Sequence, residues 1–178
     1  MAKIIAFAGS NSSRSINFKL VKHTVGSLEG HDVELLNLAE HPFPMYSEDL
    51  ERDQGFPEEL LNFCKALQES DALVLSVNEH NGNPSAYFKN LLDWCSRINR
   101  NFLEGTSVFL MSASPGKRGG IGSHGVIEKM LPRFGAEITA TFSLPSFHSN
   151  FTANEGITDA DLSEEHKKAL SAFKESIG

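Results

Sequence analysis

The chain has 178 residues, a formal net charge of −7 and 40% hydrophobic residues. That length suits one domain with its own core, and that charge excludes a general nucleic-acid or anionic-membrane surface. The early apolar run, residues 4–8, is too short for a signal-peptide core or a membrane span, and two cysteines make neither a disulfide framework nor a zinc site.

The predicted elements alternate along the chain. Residues 3–8 are apolar at almost every position and are expected as a strand buried on both faces. After a hydroxyl-rich turn, Leu20, Val21, Val25 and Leu28 recur at helical spacing. Residues 32–37 form the second expected strand. Pro57-Glu58-Glu59-Leu60 has the form of a helix start, with proline in the first turn and acids facing the dipole. Leu60, Leu61, Cys64 and Leu67 give that helix its apolar stripe. Residues 72–77 are the third strand, and Phe88, Leu91, Leu92 and Cys95 mark the next helix, where Trp94 is assigned to the core. Residues 107–113 are the fourth strand, followed by a helix with Val126, Ile127, Met130 and Leu131 on its apolar side. Residues 137–142 alternate more and suit an edge strand. A last helix is expected from near Asp161 to the end, with Leu162, His166, Ala169, Leu170 and Phe173 inward. Cys64 and Cys95 both fall on helices, as ordinary residues of a reduced, cytoplasmic protein.

Five strand–helix alternations imply right-handed βα units and an open parallel sheet. Two doubly wound strand orders are common, and both place ligands beyond the carboxyl ends of the strands. The loops after the first, third and fourth strands therefore carry the functional question.

The first loop, residues 9–17, is Gly-Ser-Asn-Ser-Ser-Arg-Ser-Ile-Asn. It is either a helix cap with spare hydroxyls or a phosphate cradle at a helix N-terminus. No Gly-Lys-Ser/Thr follows, and only one glycine is present, so neither a Walker A loop nor a dinucleotide fingerprint is formed. The second loop runs from Asn78 through Glu79, His80, Asn81, Gly82 and Asn83 to Pro84. Its carboxamides and backbone amides suit the edge of a planar heterocycle with alternating donors and acceptors. His80 is either a ring-stacking or titrating group or a solvated side chain. The third loop, residues 112–120, is rich in small residues that admit close backbone approach. Residues 120–125 satisfy G-x-G-x-x-G, but they follow the fourth strand rather than opening the first βα unit, so the match is coincidental.

Together the three loops resemble the NAD(P)H-dependent FMN reductase family of quinone, chromate and azo-dye reductases. The first family motif, G-S-x-R-x-x-S-x-N, is matched by Gly9, Ser10, Ser15 and Asn17. The second, P-E-Y-N-G-S-x-P followed by L-K-N-x-x-D-W, is matched by Glu79, Asn81, Gly82, Lys89, Asn90, Asp93 and Trp94. The third, S-x-S-P-G-x-x-G-G, is matched by Ser112, Ser114, Pro115, Gly116, Gly119 and Gly120. The segment 42–51, PFPMYSEDLE, is similar to the family's P-L-Y-x-x-D-L. Ser12 stands at the family's arginine with Arg14 two places later, Asn78 and His80 replace proline and tyrosine, and Pro84 falls one residue closer to the glycine.

The resemblance implies a flavodoxin-like three-layer α/β fold with a five-stranded parallel sheet in the order 2-1-3-4-5. It implies bound FMN, with phosphate on Ser10, Ser12, Ser15 and Asn17 in the loop that also holds Arg14 and Ile16. The ring is expected near Asn78, Glu79, His80, Asn81 and Gly82 on one side and Ser114, Gly116, Gly119 and Gly120 on the other. The implied reaction passes hydride from NADPH or NADH to FMN and two electrons on to a quinone, flavin or similar small acceptor. The chemistry is centred on the flavin, with no catalytic side chain and no metal. A homodimer or homotetramer is implied, with residues 43–46 as an interface element. A flavodoxin-like electron carrier and a non-catalytic FMN-binding module are the alternative readings.

Overall fold

The computed structural model describes residues 1–178. Five parallel strands make the central sheet: β1 (Lys3–Ala8), β2 (Asp32–Leu36), β3 (Ala72–Val77), β6 (Ser107–Ala113) and β7 (Glu137–Leu144). Their spatial order is β2-β1-β3-β6-β7. Counting only these five, that is 2-1-3-4-5, so the flavodoxin-like arrangement holds.

Strand alternation builds both cores. Ile5 and Phe7 of β1, Leu73 and Leu75 of β3, and Val108 and Leu110 of β6 enter one core. That core is closed by α3 (Glu58–Gln68), α4 (Ala86–Ile98) and α5 (Ile121–Met130). Ile4, Ala6 and Ala8, with Val74, Phe109 and Met111, enter the other, covered by α1 (Ile16–Val25) and α7 (Ala160–Ile177). Strands covered on both faces have no polar side to present, which is why β1, β3 and β6 are apolar apart from Lys3 and the serines Ser76, Ser107 and Ser112. Each fully buried large side chain among them, Phe109 for example, contributes roughly 1.5–3 kcal/mol.

The expectations need four corrections. Strand β2 is an edge strand with Asp32, Glu34 and Leu35 exposed, because nothing pairs with its outer side. In α3 the buried stripe is Leu60, Phe63, Cys64 and Leu67, while Leu61 is 42% exposed. A helix α2 (Glu48–Gln54), with no buried residue, was not expected from apolar periodicity. Its signal is at its ends: Ser47 accepts from the Asp49 and Leu50 amides, and Gly55 closes it. The second loop contains a hairpin, β4 (Glu79–His80) with β5 (Asn83–Pro84). Its turn residues Asn81 and Gly82 have φ of 54° and 75°, the pair of positive values a type I′ turn demands. Beyond β7 lie a short helix α6 (Phe147–Asn150) and a second small hairpin, β8 (Phe151–Thr152) with β9 (Gly156–Ile157). No helix is long and apolar enough to cross a membrane.

Candidate functional site

The first loop leaves β1 at Gly9, whose amide donates to the Ser76 carbonyl at 2.9 Å. Only glycine fits there: an added Cβ would lie 2.7 Å from Phe88 Cγ. Ser10 is buried and accepts from the Ser12 amide at 3.3 Å, and Ser12 accepts from the Arg14 amide at 3.3 Å. Ser15 caps α1, accepting from the Phe18 amide at 3.1 Å. The amides of Asn11 and Ser13 donate to no acceptor in the chain. Those of Ile16 and Asn17, in the first turn of α1, have no intrahelical partner. Four amides and a helix dipole thus face one turn, which suits an anion. Arg14 is exposed beside them, and Ile16 packs its side chain against the core.

Asn17 departs from its expected role. Its carboxamide is buried and binds protein: Nδ2 donates to the Ala113 carbonyl at 3.1 Å, while Oδ1 accepts from the Ala113 amide at 2.8 Å and from Ser76 Oγ at 2.7 Å. The side chain therefore joins α1 to the ends of β3 and β6, and only its backbone amide is left for a ligand.

The second loop begins at Asn78, whose Oδ1 is buried without a hydrogen-bond partner. Glu79 makes a protein contact: Oε2 accepts from the Ser123 amide at 3.0 Å, in the first turn of α5. His80 and Asn81 are exposed on the hairpin, and a Cβ at Gly82 would meet nothing within 4 Å. Ser85, which sequence reasoning left without a role, donates to the Gly9 carbonyl at 2.9 Å and accepts from the Phe88 amide at 3.1 Å. One hydroxyl thus caps α4 and ties the second loop to the first. Its only sequence signal was its place just before an apolar helical pattern.

In the third loop Ser114 is half-buried and donates to the Gly116 carbonyl at 3.1 Å. Lys117 and Arg118 are exposed, and Gly119 and Gly120 are buried. The loop is held from beneath by Ser112, whose hydroxyl donates to the Gly119 carbonyl at 2.8 Å and lies 2.6 Å from Ser143 Oγ and 3.2 Å from His124 Nδ1. Burial lowers the His124 pKa, with Glu128 opposing more weakly, so the imidazole that braces this network is neutral near pH 7. Gly120 is the left-handed N-cap of α5, and the Ser123 amide of the G-x-G-x-x-G stretch meets the Glu79 carboxylate, so that stretch works as a protein contact.

Residues 43–46 lie along α4. Trp94 Nε1 and Asn90 Nδ2 both donate to the Pro44 carbonyl, at 2.8 and 2.9 Å, and the Tyr46 amide donates to Asn90 Oδ1 at 2.7 Å. Trp94 is fully buried, as expected. Charge is distributed unevenly around this edge. No acidic residue occurs in 9–28 or in 105–127, although the chain carries −7. Arg14, Lys117 and Arg118 are thus the charged side chains of the first and third loops, and their charge favours phosphate-bearing ligands.

Known proteins are similar to this chain. Residues 2–149 match the family described as NADPH-dependent FMN reductase. An uncharacterised protein of Mycoplasma pneumoniae is 29% identical over 155 residues, covering 84% of this chain and 91% of that protein. The quinone reductase of Escherichia coli K12 is 26% identical over 119 residues, 66% of this chain and 63% of the reductase. Among solved structures, the flavoenzyme NAD(P)H:(acceptor) oxidoreductase FerB of Paracoccus denitrificans superposes with a TM-score of 0.80 at 24% identity. That superposition covers 99% of this chain and 97% of FerB, and it shows a shared fold.

Proposed function

The chain belongs to the NADPH-dependent FMN reductase family, and from that premise we propose that it is an NAD(P)H-dependent FMN oxidoreductase that reduces a quinone, flavin or similar small acceptor. The carrying observation is that three loops, each after a strand of the central sheet, meet at one carboxyl edge through the Gly9–Ser76, Ser85–Gly9 and Asn17–Ala113 hydrogen bonds.

The residues present fit FMN. Its phosphate would be held by the amides of Asn11, Ser13, Ile16 and Asn17, and the Arg14 guanidinium would supply charge where the family arginine is replaced by Ser12. The N3–H of its ring is the kind of donor that the orphaned Asn78 Oδ1 lacks. Gly82 and Gly116, where an added Cβ would meet open space or only Ser114 Oγ at 3.9 Å, leave backbone free to approach a flat ring. When bound, FMN supplies a two-electron carrier between a nicotinamide and an acceptor.

The chain's own part is to bind, orient and tune. The loop amides would fix the cofactor's tail, and Asn78 with the hairpin backbone would meet the ring edge. Lys117 and Arg118, exposed at the rim, raise the local concentration of an anionic nicotinamide. We read residues 1–178 as a single FMN-binding domain of a cytoplasmic homodimer or homotetramer. Residues 43–46, anchored by Asn90 and Trp94 with Met45 66% exposed, form the proposed contact between copies.

The test is to titrate purified protein with FMN, then follow NADPH and NADH oxidation with a quinone or ferricyanide as acceptor. Saturable FMN binding at micromolar concentration with acceptor-dependent turnover supports the assignment. Failure to bind FMN overturns it.

A further inference from the structure

We infer that Glu79 is a positioning residue, a latch that sets the gap between the second and third loops by docking the β4–β5 hairpin on the first turn of α5. The inference builds on the FMN reading, since that gap is where the ring is proposed to lie. Glu79 Oε2 accepts from the Ser123 amide at 3.0 Å across 44 residues of sequence. Ser123 is the third residue of α5, whose N-cap Gly120 has no side chain to cap with. A carboxylate arriving from another loop therefore replaces the missing cap and meets the positive end of the dipole.

The approach is too close for any residue but glycine at 122. A Cβ there would lie 2.8 Å from Glu79 Oε2 and 3.1 Å from the Gly82 carbonyl oxygen. Carboxylate and hairpin backbone both rest on bare helix. Gly122 of the misleading G-x-G-x-x-G stretch thus accepts Glu79 in the place where a dinucleotide phosphate would sit in a true fingerprint, while Gly120, at a φ of 80°, turns the chain over Ser112.

Amide hydrogen exchange on the apoprotein tests the latch without cofactor. In Glu79→Ala, exchange at Ser123 should accelerate about tenfold or more while β1, β3 and β6 keep their protection. Glu79→Gln keeps an acceptor and should restore most of that protection. The FMN dissociation constant should rise about tenfold in Glu79→Ala and by less than about threefold in Glu79→Gln. Gly122→Ala, which displaces the carboxylate without removing it, should reproduce the alanine phenotype. Unchanged Ser123 exchange in Glu79→Ala overturns the latch. So does loss of protection across the whole sheet without an effect of Gly122→Ala, which would make Glu79 a general stabiliser. An FMN affinity equal to wild type in both Glu79→Ala and Gly122→Ala overturns its role in the ring slot. A wild-type protein that binds no FMN defeats the FMN reading, and Ser123 exchange still decides the latch.

Discussion

Asn17 and Ala113 are joined twice, the carboxamide donating to the Ala113 carbonyl at 3.1 Å and accepting from its amide at 2.8 Å. A side chain on α1 thereby pairs with the backbone of β6 as a neighbouring strand would, and Ser76 donates to the same oxygen at 2.7 Å. Asn17→Ala would leave a buried amide, a carbonyl and a hydroxyl without partners. It should cost about 2–4 kcal/mol and lower the midpoint of thermal unfolding by roughly 5–15 °C. A drop of only a degree or two in the apoprotein would show that water replaces all three bonds.

Gly9→Ala is expected to act at a single contact, since the new Cβ would fall 2.7 Å from Phe88 Cγ. Phe88 is 1% exposed and packs against Phe7, so the ring has little room to withdraw. Overpacking of this kind costs about 1–3 kcal/mol. The displacement begins where the first loop leaves β1, so FMN affinity should fall together with stability. Urea unfolding and FMN titration of the same variant measure both.

The parts legible in the sequence were those set by repetition. The buried strands β1, β3 and β6 show as near-continuous apolar runs, and the alternation of strands with helices fixes a parallel sheet. The three loops were legible because each follows a strand and carries unusual composition. The illegible parts depend on partners distant in sequence. Nothing local to Asn17 says that Ala113 lies beside it, and nothing local to Glu79 says that an uncapped helix end waits at Ser123. Helix α2 was hidden because it buries no residue, so no apolar period marks it, and its short caps were the only trace.

Arg14 should bear the phosphate charge that Ser12 cannot supply. Arg14→Ala should weaken FMN binding by roughly 1–3 kcal/mol, with the largest difference at low ionic strength. Riboflavin, which lacks the phosphate, should bind wild type and variant alike. An FMN dissociation constant unchanged at low salt would return Arg14 to the solvent.

Cys64 on α3 and Cys95 on α4 are free, fully buried and in contact across the helix pair. Burial pushes the Cys95 thiol well up, the neighbouring Cys64 thiol adding to the effect, so almost no nucleophilic thiolate forms near neutral pH. A disulfide reagent should therefore titrate no thiol in the native protein and two after unfolding in guanidinium. A rapid native reaction would place one of them within reach of solvent.

His166 should give the fold a measurable acid dependence. It is 3% exposed, lies against Phe109 and Phe142, and has Nε2 2.9 Å from Thr24 Oγ1, with the His23 ring centroid 5.5 Å away. Burial lowers its pKa from 6.5 to about 4, His23 adding a smaller push in the same direction. Between those values the unfolded chain holds a proton that the folded state refuses. Stability therefore falls as pH drops from 6.5 toward 4 and is insensitive to this group above 6.5. The shift corresponds to about 3 kcal/mol at most across that window. His23 and His124, also lowered by burial, act with the same sign. Glu51, lowered chiefly by its hydrogen bond from Arg97, loses its contribution as pH falls from the ordinary carboxylate value of 4.5 downward, so it overlaps only the acid end of the histidine window. His166→Gln keeps a polar partner for Thr24 and cannot titrate. Its unfolding midpoint should be lower than wild type at pH 7, and its decline between pH 6.5 and 4 distinctly shallower. Parallel midpoint curves for the two proteins would show that the acid sensitivity arises elsewhere.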